Sequence, residues 1–469
     1  MSSTATAFDP QVLEGLLTDG GKVLTAPDDL ATYGCDWTRI YDPAPLAVVL
    51  PKSTVEVQAV VRYANEQHMA LVPSGGRTGL SAGAVAANGE LVVAMDRMNQ
   101  ILDFNASDRL VQCQAGVVTE QLQQFADDQG LYYPVDFASA GSSQLGGNLS
   151  TNAGGIKVIR YGMSRDWVLG LKVVTGNGEL LELNNGLEKN NTGYDLRHLF
   201  IGGEGTLGFI TEATMKLARQ PSNLTVMVLG LNDLTNTMDV LQTFRAKLDL
   251  TAYEFFSNEA IHHVQAHADV PAPFETECPY YALLEFEAIS DGVLEEAMGL
   301  FEQCVEEGWV LDGVISQSEA QAQKLWQLRE RISESIAPRT PYKNDLSVRI
   351  SRVPEFLQEI DSVVQKEYPD FEIVWFGHIG DGNLHLNILK PESMEKAEFF
   401  KRCETVNDLV FEIVQRYGGS VSAEHGVGMV KKKYLGFTKS VEEIAVMKGV
   451  KRVFDPNGIM NPGKLIDAD

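Results

Sequence analysis

A chain of 469 residues exceeds the size at which a single hydrophobic core keeps growing, so two or more domains are expected. With 44% hydrophobic and 22% charged residues the composition is ordinary for a globular protein and excludes long disorder, and no apolar run approaches the roughly 20 residues of a membrane span. The net charge of −26 repels nucleic acid and anionic membrane surfaces; it also repels an anionic substrate, so a site for one must bring its own local cations.

The first residues, Met1 to Phe8, lack the basic segment and apolar core of a secretory signal, and a cytoplasmic protein is expected. Between Gly75 and Gly208 glycine is dense and short elements alternate: strands over 44–50, 70–73, 91–94, 110–113 and 169–175, helices over 55–66 and 119–129. This alternation fits an α/β or an α+β domain with functional loops. From about Asn223 apolar runs at 224–229 and 280–285 alternate with longer charged helices, 291–307 and 318–336, which reads as a second, sheet-plus-helix domain. The closing 454–464 is too rich in turn formers for a helix and is expected as an ordered loop. Cys35, Cys113, Cys278, Cys304 and Cys403 form no CxxC or Cys/His cluster, so reduced thiols are expected rather than disulfides or a thiolate metal site.

Three loops carry the glycine. The first, Pro73-Ser74-Gly75-Gly76-Arg77-Thr78-Gly79-Leu80-Ser81, follows a short strand and fits neither G-x-G-x-x-G nor the Walker lysine pattern. Its glycines and hydroxyls suit a pyrophosphate cradle, and on pattern alone a plain tight turn is an equal reading. The second runs Gly141-Ser142-Ser143-Gln144-Leu145-Gly146-Gly147-Asn148-Leu149-Ser150-Thr151-Asn152-Ala153-Gly154-Gly155, and the third Gly202-Gly203-Glu204-Gly205-Thr206-Leu207-Gly208-Phe209-Ile210. Three such loops in one domain point to a large cofactor threaded through close backbone contacts. They resemble the FAD-binding half of the vanillyl-alcohol-oxidase/PCMH flavoproteins. That resemblance implies an α+β chain: a PCMH-type FAD-binding domain at 1–222, an antiparallel-sheet substrate (cap) domain with flanking helices at 223–430, and a segment at 431–469 returning to the flavin domain. It assigns to the cofactor the whole first loop, Gly141, Ser142, Gly146, Gly147, Asn148, Thr151, Asn152 and Gly155 of the second, Glu204, Gly208 and Ile210 of the third, and Asp136. Some relatives attach FAD through a histidine after the paired glycines; Arg77 stands there, so the FAD is expected to be non-covalent.

In Phe376-Gly377-His378-Ile379-Gly380-Asp381-Gly382-Asn383-Leu384-His385-Leu386-Asn387-Ile388, Asp381-Gly382 signals a two-residue hairpin turn. That loop pairs Gly380 with Asn383, Ile379 with Leu384 and His378 with His385, with Cβ atoms roughly 4.5–5.5 Å apart on one face. Asn387 shares that face. Two imidazoles beside a carboxylate can hold a divalent metal, and Glu424 in Ser422-Ala423-Glu424-His425-Gly426 is the candidate carboxylate. A solvated hairpin with two unrelated histidines is the other reading. GHIGDGNLHLN and SAEHGVG resemble the C-terminal half of FAD-linked D-2-hydroxyacid dehydrogenases. The resemblance implies zinc or a similar ion on His378, His385 and Glu424, His425 at the substrate as the base, and Asn461 of FDPNGIMNPGK reaching the flavin.

A helix over 318–336 places Arg329 and Ser333 at i,i+4, with Lys343 soon after, and together they can clamp a second carboxylate. A solvated helix face with Arg329 paired to a nearby glutamate is the alternative. The pattern resembles D-2-hydroxyglutarate dehydrogenases, in which arginine, threonine and lysine hold the distal carboxylate; here Ser333 keeps the hydroxyl and loses a methyl. Asn387 joins Arg329, Ser333, Lys343 and His425 as a substrate contact. The activity implied is oxidation of D-2-hydroxyglutarate, with D-malate within reach, and electrons passing to an acceptor such as an electron-transfer flavoprotein or a quinone. A D-lactate or glycolate enzyme, an oxidase, and a catalytically silent flavin subunit are the competing readings, and a homodimer is left open. The pairs His262-His263 and His267 lack a carboxylate to complete a site and read as surface residues, His68 and His198 as structural, and Lys431-Lys432-Lys433 as a solvated helix start.

Overall fold

The computed structural model describes residues 8–467. The stretch read for a secretory signal lies, up to Ala7, outside them. Two compact units result: one is built from the chain up to Gly154, Met163–Gln220 and the chain from Glu424 on, the other from Gly155–Gly162 and Pro221–Ala423. The chain thus leaves the second unit at Glu424, ahead of the expected 431, and lends it the short stretch after the second glycine-rich loop.

In the first unit a four-stranded sheet runs Lys22–Leu24, Ala47–Leu50, Leu91–Ala94, Leu71–Ser74, with the last three parallel. Ala47, Val49, Leu71, Leu91 and Val93 fill one face while Val48, Leu50, Val72, Val92 and Ala94 fill the other, so both faces are buried, as parallel strands require. The helix Thr54–Gln67 covers the former. Ser53 caps it by accepting from Glu56 N–H (3.2 Å), and Val57, Val60, Val61 and Ala64 form the buried stripe. Burying each of those valines contributes about 1.5–3 kcal/mol. It ends where His68 turns left-handed (φ 54°), the structural role expected for that residue. A five-stranded antiparallel sheet follows in the order Ile101–Asn105, Leu110–Gln114, Gly208–Lys216, Val168–Thr175, Leu180–Leu183.

The second unit is a seven-stranded antiparallel sheet, ordered Val310–Ile315, Leu224–Leu231, Tyr280–Glu287, Leu250–Ser257, Ile373–Gly377, Asn383–Ile388, Tyr342–Ser347. Val226, Val228, Ala252, Phe256, Leu283, Val374 and Phe376 face one way and pack under Ile261, Val264, Trp326, Leu328 and Ile332 of covering helices. The helix expected over 318–336 is two: Glu319–Glu330 and Ile332–Ile336, parted at Arg331 (φ −85°, ψ 0°), where the last turn relaxes out of α geometry.

The hairpin departs from expectation. His385 pairs with Phe376, Leu386 with Trp375 and Asn387 with Val374; His378 is outside the strand. A type I′ turn needs positive φ at both central residues, and here Gly382 alone supplies it (φ 86°), while Ile379–Asp381 coils into a 3₁₀ turn. Asn383 N–H then closes the loop on His378 O (3.2 Å). A slip of two residues preserves the face of every side chain.

Two surface readings also change. Lys431 is 6% exposed rather than solvated, and Lys432 reaches Gly463 O and Asp467. Carboxylates do lie near the 262–267 histidines, but one each: Glu277 by His262, Glu372 by His263 at 2.6 Å, Glu334 by His267. The five cysteines are free thiols. No helix among the described residues is long and apolar enough to cross a membrane.

Candidate active site

The first loop leaves the strand Leu71–Ser74 and lies directly on the second. A Cβ on Gly76 would fall 2.1 Å from Ser142 O, so only glycine permits that approach. The third loop closes on the first in the same way: a Cβ on Gly205, at φ +69°, would meet Pro73 Cγ at 2.6 Å. Gly146 presses on Ala115 and Gly208 on Val174 O, so these glycines serve backbone packing. Gly147, by contrast, has nothing within 4 Å of its Cβ position, and Gly75 and Gly79 have no neighbour nearer than 3.6 Å.

Arg77, at φ 59°, folds back on its own loop. Its guanidinium donates to Gly75 O (2.8 Å), pairs with both Asp96 oxygens (3.1 and 3.2 Å) and lies 4.4 Å over the Tyr33 ring. Leu80 and Ser81 are held from behind, where Ser81 O accepts from Met429 and Val430 N–H; Thr78 is half-buried. Several expected cofactor residues turn their side chains to the protein. Asn148 donates to Thr119 Oγ1 (2.7 Å), Thr151 to Gly147 O, Asn152 accepts from Arg165 N–H, and Asp136 from Gln123 Nε2. Gly141 and Ser142 lie in the exposed turn before the Leu145–Thr151 helix, Ile210 is buried in its strand, and Gly155 opens the stretch that joins the other unit.

Three buried polar atoms here have no partner: Ser74 Oγ, Gln144 Oε1 and Asn461 Oδ1. Each orphaned group costs about 1–3 kcal/mol unless something meets it. A hydroxyl and two acceptors beside open glycine positions fit the phosphates, ribityl hydroxyls and ring N–H of a flavin. Gln144 was not singled out from the sequence, although it stands inside the second loop.

Glu204 (φ 49°) has a different task. Its carboxylate accepts from Val427 and Gly428 N–H, both at 2.7 Å, and its carbonyl accepts from Asn461 Nδ2 at 2.7 Å. It thereby holds the turn after His425. Burial pushes its pKa up, against the pull of those two N–H groups. Glu424 Oε1 and His425 Nε2 are 3.7 Å apart, and both side chains are half-buried.

The second unit carries a polar row on the sheet. Lys343 stands opposite Asn387 and Asp345 opposite His385, so all four share one face. Asp345 is fully buried; Asn383 Nδ2 donates to it at 2.9 Å and His385 Nδ1 lies 3.7 Å away. Ala423 N–H donates to Asp345 O (3.3 Å), and Glu424 is the next residue in the chain. The His378 and His385 rings meet at 5.4 Å between centroids, and His378 Nδ1 lies 2.8 Å from Glu254 Oε1. Arg329 is 6% exposed, not solvated, with Nε 2.7 Å from Glu254 Oε2 and its guanidinium 4.8 Å over Phe376. Ser333 sits half-buried in the following short helix. Burial lowers the Lys343 pKa below the usual lysine range. Glu254 and Asp345 were not read as site residues. The signal for Glu254 was one carboxylate amid Tyr253, Phe255 and Phe256 in an apolar strand.

Residues 45–184 match the FAD binding domain, and residues 220–465 the C-terminal domain of FAD linked oxidases. A D-2-hydroxyglutarate dehydrogenase of Stutzerimonas stutzeri is 66% identical over 98% of this chain and 100% of its own length. The mitochondrial D-2-hydroxyglutarate dehydrogenase of Bos taurus is 37% identical, covering 95% of this chain and 81% of its own. Among solved structures, 4-ethylphenol oxidase from Gulosibacter chungangensis superposes with a TM-score of 0.77 over 99% of this chain and 98% of its own, at 15% identity, and p-cresol methylhydroxylase with 0.75 over 98% and 96%, at 16%. Those two likenesses establish the α+β, PCMH-type fold. The chain is an FAD-dependent enzyme, and it belongs to the D-2-hydroxyglutarate dehydrogenase family of FAD-linked oxidoreductases.

Proposed function

We propose that this protein oxidises D-2-hydroxyglutarate to 2-oxoglutarate, accepts D-malate as a shorter substrate, holds its FAD non-covalently, and uses a divalent cation, zinc or a close substitute, on His378, His385 and Glu424. The glycine-rich loops would hold the flavin, which would supply a hydride acceptor for C2, and a cation on His378, His385 and Glu424 would supply Lewis acidity toward the substrate hydroxyl. His425 accepts the hydroxyl proton, a contribution of about 10²–10⁴-fold. Lys343, Arg329 and Ser333 hold the distal carboxylate, with Asn387 beside them.

The observation that carries this reading is the polar row itself: half-buried Lys343 with buried Asp345, His385 and Asn387 on one face of two paired strands. A local cation in a chain of net charge −26 has a use if the substrate is an anion. Two imidazoles with a carboxylate near each are the usual donor set of a divalent ion and its supports. The Arg77 guanidinium, engaged by Asp96 and Tyr33, supports a cofactor without a covalent link at that position. Electrons then leave for a protein or quinone acceptor, and the five free thiols suit a cytoplasmic setting.

A substrate panel of D-2-hydroxyglutarate, D-malate, D-lactate and glycolate, run with an artificial acceptor before and after chelation, tests it. D-2-hydroxyglutarate is expected to show the highest kcat/KM, to lose activity with EDTA and to regain it with zinc, cobalt or manganese. Full activity in chelator removes the cation; preference for D-lactate removes the distal clamp; turnover with dioxygen alone makes the enzyme an oxidase.

A further inference from the structure

We propose that Glu254 is a positioning residue shared by the two ends of the substrate site, setting the ligating nitrogen of His378 with one carboxylate oxygen and the guanidinium of Arg329 with the other. This rests on the reading of His378 as a metal ligand and Arg329 as a substrate cation.

Glu254 lies in the strand Leu250–Ser257 and is 1% exposed. Alternation puts it on the face of Ala252 and Phe256, the face packed under Trp326, Leu328 and Ile332. A carboxylate placed there is costly unless both oxygens are met. Oε1 is: it lies 2.8 Å from His378 Nδ1. Oε2 lies 2.7 Å from Arg329 Nε as a close ion pair, and neither of those two buried atoms makes an aligned hydrogen bond.

The chemistry of the His378 contact is directional. A carboxylate accepts, so His378 Nδ1 carries its hydrogen and Nε2 presents the lone pair, the tautomer a metal ligand needs. The Glu254 charge lies against Arg329 on its Nε side, an ion pair without an aligned hydrogen bond, which leaves the two terminal amino groups as the planar fork that grips a carboxylate. Phe376, 4.8 Å under that guanidinium, adds a second restraint on its plane. Asp345 stands differently: it lies 3.7 Å from His385 and accepts from Asn383. Glu254 therefore couples metal affinity to dicarboxylate selectivity, which an ion pair of purely structural value does not.

The test is Glu254→Gln in the flavin-loaded enzyme. The amide has the same shape but presents an N–H to one of the two partners. Zinc affinity, measured by competition with a chelator, is expected to fall by about 10–100-fold. The ratio of kcat/KM for D-2-hydroxyglutarate over D-lactate is expected to fall by about tenfold or more, with flavin absorbance retained. Glu254→Asp keeps the charge but is one methylene too short to reach both partners, so one of the two readouts recovers; it decides the matter if the glutamine variant does not fold. Glu285→Gln, a buried carboxylate in the neighbouring strand paired with Lys157, is the control: melting temperature drops and zinc affinity stays. Unchanged zinc affinity and selectivity in E254Q overturn the proposal, as does an equal loss in E285Q. A wild-type protein that binds no zinc removes the metal reading and this inference together, whereas tight zinc in both wild type and E254Q removes only the inference.

Discussion

The imidazole of His378 meets that of His385 edge-on, their planes at 83°, with each ring carrying a carboxylate on its Nδ1 side: Glu254 for the first, Asp345 for the second. If the proposed cation sits here, both rings are backed by a carboxylate before it binds, and each should be needed to hold it. His378→Ala and His385→Ala are each expected to lose bound zinc on dialysis and to lower kcat by about 10²-fold or more, with the flavin spectrum intact. Metal analysis of the dialysed holoenzyme checks this, and a full equivalent of zinc retained by H385A would refute it.

The glycines of the flavin loops divide by what their missing Cβ would meet, and substitution should separate them. Gly76→Ala drives a methyl into Ser142 O and is expected to disturb the fold, lowering the melting temperature of apoprotein and holoprotein alike. Gly147→Ala meets no protein atom within 4 Å. It is expected to leave the apoprotein's melting temperature within about 2 °C of wild type while reducing FAD occupancy, read as the ratio of flavin to protein absorbance. Full occupancy in G147A would mean that its open side does not face the cofactor.

Local pattern carried much of this architecture, and its failures have definite causes. The strand Leu91–Ala94 and the helix Thr54–Gln67 were legible because an apolar run and an apolar stripe are local properties. The hairpin's faces were legible through period two, but its register was not: Asp381 stays right-handed, so the turn signal overstated how tightly the chain reverses. Arg329 lay beyond local reading altogether. Spacing suggested either a clamp or a solvated pair, and the partner is a buried glutamate from a distant strand. In the flavin loops glycine density was visible, yet not that Gly76 and Gly205 serve loop-on-loop contact.

Lys343 faces Asn387 on the polar row, and burial has lowered its pKa. If it grips the distal carboxylate, Lys343→Met costs a charge-assisted hydrogen bond, about 1.5–3 kcal/mol. The expected result is a KM for D-2-hydroxyglutarate raised roughly 10–100-fold, with kcat little changed and D-lactate turnover unaffected. Because a lowered pKa means the ammonium is lost earlier on the alkaline side, wild-type KM for the dicarboxylate should rise at a lower pH than for an ordinary lysine. A KM that K343M leaves unchanged would remove this residue from the site.

Lys464 offers a pH test of stability that is independent of catalysis. It is 1% exposed, 3.9 Å from Glu90, and burial, only partly offset by Glu90, lowers its pKa to about 8. The unfolded chain holds that proton up to the ordinary lysine range near 10.5. Between those values the unfolded state binds a proton that the folded state does not, so this residue makes stability rise with pH across the window. Below it the folded protein carries the full penalty of a buried ammonium, roughly 3 kcal/mol at 1.4 kcal/mol per unit. Lys464→Met removes the titration. The difference in melting temperature, wild type minus K464M, should therefore climb from pH 8 to pH 10, and a flat or falling difference would show that the ammonium is better paired in its burial than its contacts indicate.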